Sequence, residues 1–330
     1  MDIVLQILLL VVGFVILIKG ADWLIDGASS TATHFKVSKL LIGLTIVAFG
    51  TGAPEFAVSI SSLLNGTTDM LLGNVIGSNI MNILLLIGIG AIIRPITIKK
   101  GTVSKELPLL LLISTVLVVL FLDTFLMNSE VNTISRTDGI ICLLFFAIFL
   151  YYIFSTARKN REENKKSKNK AKKIEQPKFK LGISILLIII GLAGVVGGAE
   201  LVVDSASNIA RTIGISDRII ALTIVAFGTS LPELITTIKA AKRGETELLV
   251  GNIIGSNIFN ICIVLGLPVA LFGTVTPDSF EIMDIVMLIG SAVILLITAR
   301  TGHKITRLEG LLMLTIFSIY YSYLVIGALT

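Results

Sequence analysis

The sequence has few of the residues that form crosslinks, thiol metal sites or proton relays. It contains two cysteines and two histidines among 330 residues, and only 15% of its residues are charged. Globular domains carry about 25% charged residues. Cys142 and Cys262 lie in separate apolar runs, which indicates small buried hydrophobes and excludes a clustered thiol metal site. His34 and His303 fall between apolar runs, so we expect solvated loop positions and no histidine relay inside a membrane.

Hydrophobic residues make up 54% of the chain and are concentrated in long runs. A helix needs about 20 apolar residues to cross the hydrocarbon of a bilayer. The sequence therefore predicts an all-α, polytopic membrane protein with the lipid bilayer as its surroundings. Ten runs reach the required length: 3–25, 38–64, 69–93, 106–126, 138–157, 181–204, 216–241, 247–273, 281–299 and 308–328.

A basic segment at 158–180 separates two groups of five spans. It holds eleven Lys and Arg against three Glu, and its apolar-poor composition predicts a disordered linker. Positive loops remain on the cytoplasmic side, so the linker is expected to be cytoplasmic and both termini outside the cell membrane. We divide the chain into a first half, 1–157, the linker, and a second half, 181–330.

The two halves contain an internal repeat. Residues 20–88 align without a gap to 198–266, with 32 identities in 69 positions. The most similar blocks are LTIVAFGTGAPE with LTIVAFGTSLPE, and GNVIGSNIMNI with GNIIGSNIFNI. Because each half has an odd number of spans, the second enters the membrane from the opposite side. The fold predicted is two inverted-topology repeats of five helices.

Each repeat places a proline and a glutamate in the middle of an apolar span. Pro54 and Pro232 lack a backbone N–H and should break their helices, and Glu55 and Glu233 follow them directly. A charged residue inside a membrane is costly and is therefore a functional hypothesis by default. We expect the pseudo-two-fold axis to bring the two glutamates to the bilayer centre. Carbonyls freed before the breaks are expected to act as oxygen ligands, namely those of Ala48 and Ala226.

The second block of each repeat adds neutral oxygen ligands. The first block holds Asn74, Ser78, Asn79 and Asn82, and the second Asn252, Ser256, Asn257 and Asn260. Oxygen ligands without sulfur or imidazole suit Ca²⁺, Na⁺ or Mg²⁺. For a single Asn or Ser, packing between helices is an equally good interpretation. Asp26 and Asp204 also repeat, but near span ends, where capping or hydration explains them as well.

These motifs, GTGAPE with GNVIGSNIMN and GTSLPE with GNIIGSNIFN, resemble the two alpha repeats of the sodium/calcium exchangers in the calcium/cation antiporter superfamily. The resemblance implies a secondary antiporter that exchanges Na⁺ for Ca²⁺ by alternating access, through a ten-helix fold. It implies no enzymatic activity, resident cofactor, nucleic-acid partner or required protein partner. The ion ligands it implies are Glu55, Glu233, Asn82, Ser78, Ser256, Thr51, Thr229, Ser230 and the carbonyls of Ala48 and Ala226, and we add Asn260.

Two positions depart from the family pattern. Gly52 stands where the first repeat usually has serine, and Asn260 where some members, notably the potassium-dependent branch, have aspartate. The proton-coupled branch typically has glutamate after its Gly-Asn pair, whereas Val75 follows Asn74 here, which favours Na⁺ as counter-ion. The alternatives are a Ca²⁺/H⁺ antiporter of the same fold, a cation channel, and an intramembrane protease with an acid dyad.

Overall fold

The computed structural model describes residues 3–126, 131–166, 176–214, 226–276 and 282–329, and these are largely helical. The helices of the first half are α1 (Ile3–Phe35), α2 (Lys39–Ile42), α3 (Ala48–Thr51), α4 (Ala53–Leu64), α5 (Thr68–Met81), α6 (Ile87–Ile93), α7 (Lys100–Ser104), α8 (Glu106–Leu120), α9 (Asp123–Leu126) and α10 (Arg136–Lys166). Those of the second half are α11 (Leu181–Thr212), α12 (Ala226–Thr229), α13 (Leu231–Arg243), α14 (Thr246–Phe259), α15 (Gly266–Phe272), α16 (Ile282–Arg300) and α17 (Arg307–Leu329).

The predicted multi-pass helical membrane fold is confirmed. Within the described residues, seven helical segments are long and apolar enough to cross a membrane, and the pair Lys39–Thr51 and Ala53–Leu64 forms an eighth, broken span. The predicted seventh span, 216–241, includes 216–225, which lie outside the described residues, and the predicted tenth coincides with α17. The seven are Ile3–Phe35, Thr68–Ile93, Lys100–Leu120, Arg136–Lys159, Leu181–Thr212, Thr246–Phe272 and Ile282–Arg300.

The described chain forms two compact units that do not follow the repeat boundary. Unit 1 comprises Met1–Pro54, Ala157–Asn252 and Tyr323–Thr330, and unit 2 comprises Glu55–Thr156 and Ile253–Ser322. Each unit therefore takes segments from both halves of the sequence. The division into 1–157 and 181–330 describes the repeat and not the compact units.

In unit 1, the first helix of each repeat packs against its counterpart. A Cβ added to Gly13 would lie 3.2 Å from the carbonyl oxygen of Gly198, and one added to Gly27 would lie 2.6 Å from that of Ser184. Residue numbers rise along α1 as they fall along α11, so the two helices are antiparallel. This is the relation that an inverted repeat predicts, and the small residues let the backbones approach closely.

In unit 2, a short ladder that the sequence did not predict joins two loops. Strands β1 (Ile96–Thr97) and β2 (Lys304–Ile305) pair antiparallel, with Ile96 opposite Ile305. A single antiparallel bridge also joins Ile134 to Val275. These pairings hydrogen-bond backbone groups in the segments between helices.

The linker has more structure than its composition predicts. Helix α10 continues to Lys166. Arg, Lys and Glu are good helix formers, and they extend a helix that has already nucleated in the apolar span before them. At the other end, His34 Nε2 donates to the carbonyl oxygen of Phe179 over 2.6 Å, and Lys178 pairs with Asp26 over 3.1 Å. The prediction of disorder is wrong for these residues, and 167–175 lie outside the described residues. His34 also lies in the last turn of α1 and not in a loop.

Candidate ion-binding residues

Both repeats contain a helix break at equivalent residues. Helix α3 ends before Gly52, which has φ −79° and ψ 5°, and α12 ends before Ser230, which has φ −89° and ψ 4°. The breaks precede the prolines by two residues, whereas the sequence placed them at the prolines. Pro54 and Pro232 lie in the first turns of α4 and α13, where a helix needs no proline N–H.

The carbonyl of Ala48 is not freed by the first break. It accepts a hydrogen bond of 3.0 Å from the backbone N–H of Gly52. The prediction is wrong here because the proline removes the donor that would meet Gly50, four residues before it. A carbonyl oxygen has two lone pairs, so Ala48 retains one for another donor or a cation. Ala226 is the first residue of α12.

The two glutamates begin the helices that follow the breaks. Glu55 and Glu233 lie in the first turns of α4 and α13, and each is only 1% exposed. An acid favours the N-terminal turn because the helix dipole is positive there. In unit 2, Asn74 Nδ2 donates to the carbonyl oxygen of Glu55 over 3.0 Å and to Ser59 Oγ over 3.1 Å. Asn74 therefore fixes the backbone that carries the first glutamate.

In unit 1, a chain of polar side chains links α3, α13 and α14. Thr51 Oγ1 donates to Asn252 Oδ1 over 3.4 Å, and Asn252 Nδ2 donates to Thr236 Oγ1 over 3.4 Å. Thr236 donates in turn to the carbonyl oxygen of Glu233 over 3.0 Å. The predicted ligand Thr51 thus contacts Asn252, which belongs to the repeated motif but is not among the ligands that the resemblance implies. Thr229 ends α12, and Ser230 is buried at the break.

Close backbone contact makes this chain possible. A Cβ added to Gly43 would lie 2.6 Å from the carbonyl oxygen of Leu248, and one added to Gly251 would lie 2.3 Å from that of Leu40. A larger residue at either position would force the segments apart. Gly43 also begins a π-helical turn, Gly43–Val47, between α2 and α3.

In unit 2, five buried side chains from the two repeats form what we call the amide cluster: Ser78, Asn82, Ser256, Asn257 and Asn260. Asn82 Nδ2 donates to Asn257 Oδ1 over 3.2 Å. Asn260 Nδ2 donates to Ser78 Oγ over 2.9 Å, and Ser78 donates to the carbonyl oxygen of Asn74 over 2.6 Å. Both asparagine amides are therefore oriented by a bond to the other repeat.

The amide cluster retains oxygen atoms with unused hydrogen-bonding capacity. Asn82 Oδ1, Asn260 Oδ1 and Ser256 Oγ are buried and have no hydrogen-bond partner within the described part of the chain. Leaving a buried polar atom unsatisfied costs about 1–3 kcal/mol. Neutral amide and hydroxyl oxygens are ligands for hard cations such as Ca²⁺ and Na⁺. All three atoms belong to predicted ligands in unit 2.

Both asparagines also begin irregular helical turns that the sequence did not predict. A π-helical turn runs from Asn82 to Leu86 after α5, and another from Asn260 to Leu265 after α14. Such π-bulges are rare and occur frequently at functional sites, because they release backbone carbonyls from the regular ladder. No residue pattern in the sequence predicts these π-helical turns. In the structure they stand out because they occur at equivalent places in both repeats.

Comparison with protein families gives one match over nearly the whole chain. The family model described as "Sodium/calcium exchanger protein" matches residues 5–155 and 183–326. The matched segments contain every predicted ligand and leave out the whole basic linker, 158–180.

Individual proteins agree with the family match. The chain is 36% identical over 308 residues to the inner membrane protein YrbG of Escherichia coli K12, covering 92% of both chains. It is 31% identical over 338 residues to the sodium/calcium exchanger MaX1 of Methanosarcina acetivorans, covering 94% of this chain and 95% of the relative. A solved structure of the sodium-calcium exchanger NCX_Mj, soaked with Na⁺ and Sr²⁺, superposes with a TM-score of 0.82 at 34% identity, covering 97% and 99% of the two chains.

Proposed function

Because the chain belongs to the sodium/calcium exchanger family, we propose that it is a secondary antiporter that exchanges Na⁺ for Ca²⁺ across the cell membrane. In this proposal the binding residues become accessible to one side of the membrane at a time. Ca²⁺ and Na⁺ are the transported substrates. The N- and C-termini lie outside, and the basic linker is cytoplasmic, in keeping with the positive-inside rule.

The observation that carries the proposal is the set of unsatisfied neutral oxygens buried in the amide cluster of unit 2. Glu55 and Glu233 are buried in equivalent first turns of the two repeats. Each carboxylate is a negatively charged oxygen ligand of the kind that Ca²⁺ and Na⁺ prefer, and an acid inside a membrane is a functional hypothesis by default. Two carboxylates neutralise one Ca²⁺ or two Na⁺, which is the balance an exchanger needs.

We propose individual roles from the local geometry. Asn82, Asn260 and Ser256 supply side-chain oxygens, and the two glutamates supply charge. Thr51, Thr229 and Ser230, with the carbonyls of Ala48 and Ala226, surround the helix breaks and supply further oxygens for Na⁺. Ser78 contributes mainly by holding Asn260, since its hydroxyl already donates to one group and accepts from another.

The test is ⁴⁵Ca²⁺ uptake into proteoliposomes loaded in turn with Na⁺, with K⁺, or with an acidic interior at constant salt. Outward Na⁺ gradients should drive saturable uptake, and K⁺-loaded vesicles should show only exchange of Ca²⁺ for Ca²⁺. Protein-free vesicles provide the background. Uptake driven by the pH gradient and indifferent to Na⁺ would replace the proposal with Ca²⁺/H⁺ exchange, and unsaturable gradient-following flux would indicate a channel.

A further inference from the structure

We infer that Asn257 is a positioning residue that turns the amide of Asn82 so that its oxygen faces the transported cation. The inference rests on the proposed function, because it names a residue that the same binding site needs. The repeated motif offers Asn257 as a neutral oxygen ligand or as a packing residue, and the resemblance does not include it among the ligands.

The geometry begins with the two ends of the Asn82 side chain. An amide offers two donors on nitrogen and an acceptor oxygen. Asn82 Nδ2 is occupied by Asn257 Oδ1 at 3.2 Å, whereas Asn82 Oδ1 has no hydrogen-bond partner within the described ranges. Both side chains are at most 1% exposed, so water does not provide an equal alternative. Asn257 Nδ2 is also buried without a partner in the described ranges, so the bond from Asn82 Nδ2 to Asn257 Oδ1 is the contact by which Asn257 holds Asn82 with its oxygen unbonded.

The same task is done differently in the other repeat. Asn260, the counterpart of Asn82, is held by Ser78 and not by Asn79, the counterpart of Asn257. Both amide atoms of Asn79 are buried without a partner in the described chain. The sequence repeat is symmetric at these positions, but the hydrogen bonds are not. One repeat uses a serine to hold its ligand, and the other uses an asparagine.

A cation makes this orientation consequential. Without Asn257, the amide of Asn82 can rotate and present its NH₂ group, which repels a cation that its oxygen would bind. Groups that orient a metal ligand typically change metal affinity by about 10–100-fold when they are removed. We therefore expect Asn257→Ala to raise the Ca²⁺ concentration for half-maximal transport about tenfold, with a smaller change in maximal rate.

The decisive measurement is a double-mutant cycle on Ca²⁺/Ca²⁺ exchange in proteoliposomes, which does not depend on the counter-ion. If Asn257 acts through Asn82, adding Asn257→Ala to Asn82→Ala should change the apparent Ca²⁺ affinity less than about twofold, a clear departure from additivity. The matched control is Asn79→Ala, an equally buried amide at the equivalent position, which should be additive with Asn82→Ala. Thermal unfolding of each variant in detergent reports any loss of folding separately.

A conservative variant tests the acceptor directly. Asn257→Asp keeps an oxygen where Oδ1 stands and should retain the Ca²⁺ affinity that Asn257→Ala loses. The inference would be overturned if the effects of Asn257→Ala and Asn82→Ala on Ca²⁺ affinity were additive, or if Asn257→Asp lowered that affinity as much as Asn257→Ala does. The proposed function would still stand in either case, provided that the wild-type protein exchanges Ca²⁺. Absence of Ca²⁺ binding and exchange by the wild-type protein would overturn both.

Discussion

Each of the two compact units contains a polar cluster. The two clusters differ in charge and in whether their polar atoms have hydrogen-bond or ion-pair partners. In unit 1, α1 meets α13 and the end of the linker through an ion-pair cluster of Asp22, Asp26, Lys178, Lys239 and Arg243. Arg243 bonds both aspartates at 2.7 and 2.8 Å, and these two acids and the arginine are 23–32% exposed. In unit 2, the amide cluster is neutral and buried and retains unsatisfied oxygens.

The difference distinguishes an ion-pair contact from the residues that we propose bind the cation. Each acid of the ion-pair cluster already has basic partners, so an added cation would have to displace them. Partly exposed ion pairs contribute about 0–1 kcal/mol each. The amide cluster has three oxygens that lack a donor, which a donor or a cation would satisfy, and one amide nitrogen, Asn257 Nδ2, that lacks an acceptor. Unmet hydrogen-bonding capacity therefore distinguishes the amide cluster from the ion-pair cluster.

The largest effect should come from removing the charge that neutral ligands cannot supply. Glu55→Gln or Glu233→Gln should lower Na⁺-driven ⁴⁵Ca²⁺ uptake about 100-fold or more, because Ca²⁺ would lose a compensating charge in a site of low dielectric constant. Gln preserves size and hydrogen bonding, so the protein should still fold. Near wild-type uptake by either correctly inserted variant would remove that glutamate from the proposed site.

A substitution in the ion-pair cluster should change the stability of the protein and leave its affinity for Ca²⁺ unchanged. Arg243→Gln removes bonds to Asp22 and Asp26 and should lower the free energy of unfolding by about 1 kcal/mol, as expected for two partly exposed pairs. Thermal unfolding in detergent, at low and high salt, measures the loss and its screening. The exposed neighbour Lys242, changed to Gln, is the matched control. A tenfold change in apparent Ca²⁺ affinity for Arg243→Gln would erase the distinction between the clusters.

The helix breaks allow a smaller and more specific test. Gly52 and Ser230 adopt nearly the same backbone angles, so a serine fits the Gly52 backbone conformation without strain. Gly52→Ser adds a hydroxyl ligand to the first repeat and should raise the apparent Na⁺ affinity about threefold, the size of a weak hydrogen-bonding contribution. The Na⁺ dependence of ⁴⁵Ca²⁺ uptake measures it, with Gly52→Ala as the control that adds a Cβ alone. Equal effects of Ser and Ala would show that the hydroxyl binds no Na⁺.

The sequence predicted the features that depend on composition and repetition, and missed those that depend on three-dimensional register. Apolar runs predicted the helices, and the odd number of spans predicted the antiparallel packing of α1 and α11. The breaks lie at Gly52 and Ser230 because a proline is tolerated in a first turn, which shifts the break upstream. The π-helical turns at Asn82 and Asn260, and the choice of Asn257 or Ser78 as partner, follow from how helices of different repeats align. The sequence of one repeat alone does not predict how its helices align with those of the other repeat.

The smallest effect should come from shortening the linker, which tests whether basic charge matters to transport at all. Deleting 161–175 removes seven Lys and Arg and three Glu, which is half of the net charge of +8 on 158–180. It keeps Lys178 and Phe179, whose contacts to Asp26 and His34 attach the linker end to α1. None of the proposed ligands lies in the deleted segment, so Na⁺-driven ⁴⁵Ca²⁺ uptake should stay within about twofold of wild type, comparable to the effect of a substitution remote from any site.

A second deletion, 161–180, also removes the attachment and should lower thermal stability. Protease accessibility in sealed vesicles checks that both variants keep their orientation, which the remaining loop charges help to set. Loss of transport in the shorter deletion, with stability and orientation intact, would show that the basic segment takes part in exchange.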